Sequence, residues 1–191
     1  DASISGDATL CAGEDATLVV DFTGSMNYNF ELLLDGVPQG PINGFDMVQY
    51  TEVVTAPGVY TLNYINNTYC TGVAAGSATV VVNPLPTVSI SGGGIICEGD
   101  ALDLDIDLTG TAPWDIIVTY DDGINPPVDT PVDGIAATPE IYVATADGSY
   151  SVTSVTDDNG CENAVATAAV VVDVNPLPTA LFSIDSPTCE G

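Results

Sequence analysis

The chain has 191 residues, 46% of them hydrophobic, and carries 27 Asp and Glu against no Lys, Arg or His, for a formal charge of −27. That apolar share is enough for packed cores, so the acidity is not that of a disordered tail. The missing cations exclude nucleic acid as a partner, because phosphate binding needs Lys or Arg, and they exclude catalytic triads built on His.

An anionic membrane surface is disfavoured for the same reason. No apolar run reaches the ~18 residues needed to cross a bilayer, and no basic segment followed by an apolar one marks a signal peptide. The expectation is a removed leader or an internal piece of a longer chain. By segment the acids number nine in residues 1–86, sixteen in 87–178 and two in 179–191. No side-chain salt bridge can form, every acidic pair repels, and the screen is solvent salt with a Debye length of ~8 Å.

The first segment, Ala2-Ser3-Ile4-Ser5-Gly6, reappears as Val88-Ser89-Ile90-Ser91-Gly92. Self-similarity of this kind signals tandem units. Past the first cysteine, period-2 alternation marks a half-buried strand: Ala16, Leu18, Val20 and Phe22 on one face in repeat one, and Leu102, Leu104, Ile106 and Leu108 in repeat two. Asp103, Asp105 and Asp107 line the opposite face of the latter. The next strand carries Tyr28, Phe30 and Leu32, aligned with Trp114, Ile116 and Val118, and turns follow at Asp35-Gly36 and Asp122-Gly123.

The middle third of each repeat reads as irregular, with Pro38, Pro41 and Gly44 in one and Pro126, Pro127, Pro131 and Gly134 in the other. Strands then read as Gln49–Val54 or Glu140–Ala144, as segments opening at Gly58 or Gly148, and as Ser77–Val82 or Thr167–Val174. No stretch has sustained helical periodicity. Seven or so short strands with turn signals at this spacing predict an all-β chain of tandem β-sandwich domains.

Each repeat closes on the same five residues, Asn83-Pro84-Leu85-Pro86-Thr87 and Asn175-Pro176-Leu177-Pro178-Thr179. The expected domains are 1–86 and 87–178, with 179–191 opening a third, truncated repeat. Paired prolines fix φ and favour extended geometry, so the domains are expected to stand end to end as a rod.

Cys11, Cys97 and Cys189 occupy matching positions, and Cys70 matches Cys161. One bridge per repeat is the expectation, Cys11–Cys70 and Cys97–Cys161, in an oxidising compartment. Each would close about 60 residues, worth on the order of 4 kcal/mol in the chain-entropy model. Cys11 would lie in the turn after the first strand and Cys70 in the turn between the last two, placing the bridge at one end of the sandwich. Cys189 would find its partner beyond residue 191. Single, separated cysteines without His argue against zinc.

Cys97-Glu98-Gly99, Leu108-Thr109-Gly110 with Ala112-Pro113-Trp114, Gly148-Ser149-Tyr150-Ser151-Val152, Asp157-Asp158-Asn159-Gly160-Cys161 and the closing Val174-Asn175-Pro176-Leu177-Pro178-Thr179 occur in this order. Together they resemble the PKD-like, immunoglobulin-like repeats of large secreted Bacteroidetes surface adhesins, including gliding adhesins. Repeat one departs from the pattern: Tyr28 stands in place of Trp114, and Asn66-Asn67-Thr68-Tyr69-Cys70 in place of the Asp-Asp-Asn-Gly-Cys turn. The resemblance implies secretion, surface display and many copies in series, with neighbouring repeats or subunits of the same protein as partners. It implies no catalytic residue.

Asp121, Asp122, Asp157 and Asp158 are loop carboxylates of the kind Ca²⁺ takes, though no spacing matches an EF-hand loop. The competing reading is solvated turn residues. Paired carboxylates could serve a glycosidase, but these fall on repeating turns and strand faces without another catalytic side chain. Trp114 with Tyr120 or Tyr142 could form a platform for a surface glycan, whereas strand parity puts Trp114 in the core. Asn66-Asn67-Thr68 is a glycosylation sequon. The segment Ala180–Ile184 reads as the first strand of the next domain, the alternative being a strand donated to a neighbour's sheet. The expected function is a non-enzymatic, stiff, polyanionic stalk segment of an extracellular adhesin or filament. The alternative is a glycan- or calcium-dependent binding module.

Overall fold

The computed structural model describes residues 1–164 and 166–181. Contacts divide the chain into two compact units, Asp1–Leu85 with Asn159–Cys161, and Pro86–Asp158 with Glu162–Gly191. Every regular element described is a strand.

The first unit holds β1 (Ala2–Ser5), β2 (Ala8–Cys11), β3 (Ala16–Phe22), β4 (Tyr28–Leu34), β5 (Val37–Phe45), β6 (Gln49–Val54), β7 (Gly58–Asn66), β8 (Ala74–Gly76) and β9 (Ala78–Asn83). They form two sheets, ordered β6-β3-β1-β8 and β2-β9-β7-β4-β5. The predicted alternation is met along β3, where Ala16, Leu18, Val20 and Phe22 are buried and the residues between them are not. Their partners across the core come from β4 and β7 and include Phe30, Leu32 and Ile65. An aromatic cluster fills one end, with the Phe22 and Tyr28 rings stacked at 4.6 Å and Phe30 edge-on to Tyr50 at 5.2 Å.

The second unit repeats the scheme with β10 (Val88–Ser91), β11 (Gly94–Cys97), β12 (Leu102–Leu108), β13 (Trp114–Asp121), β14 (Val128–Ile135), β15 (Glu140–Ala144), β16 (Gly148–Thr156), β17 (Glu162–Asn163) and β18 (Val170–Asn175). Its sheets run β10-β12-β15 and β11-β18-β16-β13-β14, with β17 pairing β16. Leu104, Ile106, Ile116, Val118, Val152 and Val172 form the centre of its core.

Two features differ from the sequence expectation. The proline-containing middle third is a strand, not an irregular stretch: β5 pairs β4, and β14 pairs β13, through registers broken by bulges. Both lie at the edge of their sheets, where a missing N–H leaves no ladder bond unmade, so proline is tolerated. The opening strand is also split between the two sheets. β1 pairs β3, and after Gly6 the chain crosses to run parallel with β9, Cys11 facing Asn83. In the second unit β10 pairs β12, and β11 then runs parallel with β18, Cys97 facing Asn175. The crossing demands glycine: Gly6 has φ +126°, and a Cβ there would stand 2.6 Å from the Thr17 carbonyl oxygen. The cysteines therefore end strands rather than sit in turns.

The third residue of β7 and of β16 is a tyrosine whose hydroxyl reaches back four residues. Tyr60 donates to the Ala56 carbonyl at 2.9 Å and Tyr150 to the Ala146 carbonyl at 3.1 Å. Such corners tie one sheet to the connection leaving the other.

Candidate functional site

Strand direction gives each sandwich an entry pole, where its chain comes in, and an exit pole, where its last strand ends. In the first unit β2 ends at the exit pole with Cys11 beside Asn83. β7 starts near that pole, Gly58 facing Val80, and runs the other way to Asn66. Cys70 follows Asn66 and returns a carbonyl to the Asn67 amide, in a loop whose Gly72 lies against Asp1. Eight residues of strand at ~3.3 Å each put Cys70 roughly 26 Å or more from the pole of Cys11. A disulfide needs Cα atoms within about 7 Å.

The expected Cys11–Cys70 and Cys97–Cys161 bridges are therefore corrected. Cys11 is bonded to Cys161, with a Cα–Cα distance of 5.4 Å and a sequence separation of 150. Cys70 and Cys97 are free and exposed. The sequence reading failed at the sheet crossing, which carries Cys11 and Cys97 to the exit pole while their supposed partners stay at the entry pole. Cys161 is fully buried, and its segment Asn159–Cys161 belongs by its contacts to the first unit. Cys189 lies outside the described residues, as do residues 182–184 of the expected third-repeat strand Ala180–Ile184.

The four candidate calcium ligands fall into two separate places. Asp121 ends β13 at the exit pole, facing Ser149, whereas Asp115 at the other end of that strand faces Thr156, which leads into Asp157. Six residues of strand, about 20 Å, separate the pairs, so Asp121 and Asp122 cannot share an ion with Asp157 and Asp158. The Asp122 carboxylate accepts from the amides of Ile124 and Asn125 and from the Asn125 side chain, at 2.7–2.8 Å. Those bonds, the Asn125 amide first, hold its acid below the ordinary range. The Asp121 carboxylate accepts from the Gly123 amide at 2.8 Å. Asp157 is the one buried acid among the described residues and accepts from the Thr111 amide at 3.1 Å, while Asp158 is exposed. Among the described residues no group of three or more His, Cys, Asp or Glu is arranged to hold a metal ion.

The aspartate ladder on β12 is milder than its sequence suggests. Asp103 faces Val143, Asp105 faces Ile141 and Ser91, and Asp107 faces Ser89, so none opposes another acid across the sheet. Repulsion is left to neighbours two residues apart, about 7 Å along the strand, close to the Debye length at physiological salt.

The aromatic platform does not form. Trp114 is 6% exposed within the second core, its indole N–H donating to the Thr109 carbonyl at 3.1 Å. Tyr120 donates to the Asp147 carbonyl at 2.7 Å and packs on Tyr150 with centroids 5.0 Å apart. Burial first, then the charges of Asp122, Asp147 and Asp121, raise its phenol above the usual range. In repeat one Tyr28 stands at the Trp114 position, donating to the Gly24 carbonyl at 3.0 Å. Asn66 of the sequon accepts a hydrogen bond from the Asn29 side chain at 3.1 Å.

No protein-family model and no curated protein matches the chain. Among solved structures, a marsupial T cell receptor superposes over 94% of this chain and 74% of its own, with a TM-score of 0.65 at 15% identity. The I67–I69 fragment of the titin I-band does so over 92% and 65%, with 0.58 at 16%, and its E-to-A variant over 91% and 64%, with 0.60 at 14%. The chain thus spans a little under two thirds of the length of the titin fragments. Identity this low carries the fold and nothing finer: the chain is a tandem of immunoglobulin-like β-sandwich domains.

Proposed function

We propose that the chain is a structural repeat segment of an extracellular adhesin or surface filament, of the type found in Bacteroidetes, working as a stiff polyanionic spacer without catalytic activity. One observation carries this reading: two copies of the same sandwich are joined through Asn-Pro-Leu-Pro-Thr in a chain with no cationic side chain. Prolines limit bending at the junctions, and a charge of −27 keeps neighbouring molecules apart and soluble. The Cys11–Cys161 disulfide supports an oxidising, extracellular setting. Lack of Lys and Arg removes every trypsin-type cleavage point, an advantage outside the cell.

Small-angle scattering of the purified chain between 10 mM and 1 M NaCl tests the spacer. A stiff rod keeps the same rod-like profile throughout. A profile that becomes that of a compact globule or a flexible string once charge is screened would refute it.

A further inference from the structure

Each sandwich places one cysteine at each pole, and the two repeats place theirs alike. Cys11 and Cys97 both end a strand parallel with the last strand, facing Asn83 and Asn175. The turn that follows is the same: Glu14 N–H donates to the Cys11 carbonyl and Asp100 N–H to that of Cys97, while the amides of Ala12 and Glu98 donate to the Asn83 and Asn175 carbonyls. Cys70 lies just inside the bridge of Asn66 with Thr71, and Cys161 just inside the pairing of Thr156 with Glu162. The disulfide that is present joins an exit-pole cysteine of one repeat to the entry-pole cysteine of the repeat that follows in sequence. Within a sandwich the two cysteines are too far apart to react.

We propose that the same rule assigns partners to the two free thiols. Cys97 is bonded to the entry-pole cysteine of a repeat following this segment, and Cys70 to the exit-pole cysteine of a repeat preceding it. The partner is thus another copy of the same sandwich, and the inference rests on reading the chain as part of a run of repeats. The chemistry requires a disulfide oxidant, such as glutathione disulfide. One thiolate displaces a glutathione thiolate to form a mixed disulfide, and the second thiolate displaces the other, so two protons and two electrons leave with two glutathione thiols.

Such bridges interleave, because Cys97 precedes Cys161 in the chain. Tension applied to an array would follow the shortest covalent path and skip most of each sandwich. Unfolding would then lengthen the array little.

The test uses two longer chains: residues 1–178 followed by a further copy of 87–178 carrying Glu98→Asp and Glu162→Asp, and a further copy of 1–86 carrying Ala12→Ser and Thr71→Ser placed ahead of the full sequence, so that the cysteine peptides of the added copies differ in mass from the originals. After oxidation with glutathione disulfide, free thiols are blocked with N-ethylmaleimide. The unreduced chains are cut with pepsin, whose acid medium halts exchange, and mapped by mass spectrometry. In the first chain Cys97 is expected to be bonded to the added counterpart of Cys161. In the second, Cys70 is expected to be bonded to the added counterpart of Cys11. Blocked Cys97 in the first chain, or blocked Cys70 in the second, with Cys11–Cys161 retained, overturns the rule, as does a Cys97–Cys161 bond. Loss of Cys11–Cys161 removes its foundation. The spacer reading is judged separately, by scattering.

Discussion

Reduction of the Cys11–Cys161 disulfide should change how far the chain extends under load. In the oxidised protein, tension applied at the termini passes from Cys11 directly to Cys161, and the 150 residues of sequence separation between them carry none of it. At ~3.5 Å per extended residue, the bridge hides about 520 Å of contour that reduction would release. Single-molecule force spectroscopy of the 191-residue chain, pulled with and without dithiothreitol, reads this difference directly. The oxidised chain should extend by little more than its two short tails allow. Two hidden loops of about 200 Å each, the signature of Cys11–Cys70 and Cys97–Cys161, would refute the pairing, and equal contour lengths in the two conditions would refute any bridge. The same bond, closing 150 residues, should contribute about 5 kcal/mol in the chain-entropy model, seen as a large fall in melting temperature on reduction.

Gly6→Ala should destabilise the first sandwich by more than about 1 kcal/mol, since it combines a positive φ with a Cβ inside the Thr17 carbonyl; denaturant titration checks it, and the fraction of Cys11 left unbonded should rise with it. Tyr150→Phe, which loses the hydroxyl bond to the Ala146 carbonyl, should cost about 1 kcal/mol. Alkaline solution should destabilise the fold. Burial, then the hydrogen bond and charge of Glu52, push the Tyr50 phenol up to about 12, and burial leads the upward shifts of Tyr60, Tyr120 and Tyr150. A phenol raised in the folded state stabilises it fully below the unfolded value near 10 and loses that contribution as pH climbs toward the folded value. Melting temperature should therefore drop between about pH 10 and pH 12, together with the rise in tyrosinate absorbance. Added NaCl should raise the melting temperature by screening the 27 acids, with CaCl₂ and MgCl₂ at equal concentration giving equal gains. A gain selective for calcium would place an ion at Asp121–Asp122 or at Asp157–Asp158.

Local pattern carried much of the architecture. Alternation along β3 and β12 names the buried face residue by residue, because side chains on a strand point alternately to core and solvent whatever the sheet pairs with. The bounds of β6 and β15, Gln49–Val54 and Glu140–Ala144, agree with those expected from sequence, and Trp114 and Tyr28 fall where parity puts them. Cysteine pairing and the location of the acidic turns behaved differently. Sequence order sets Cys70 beside Cys11 as naturally as Cys161. Only the crossing at Gly6, which moves one short segment from sheet to sheet and carries Cys11 to the exit pole, decides between them. Asp121 and Asp157 likewise look alike as loop carboxylates, yet they lie at opposite ends of one sheet because β13 and β16 run antiparallel. Period and composition are properties of neighbours along the chain. Distance between poles depends on which strands pair and in what direction, and that is fixed only when both sheets have closed over the core.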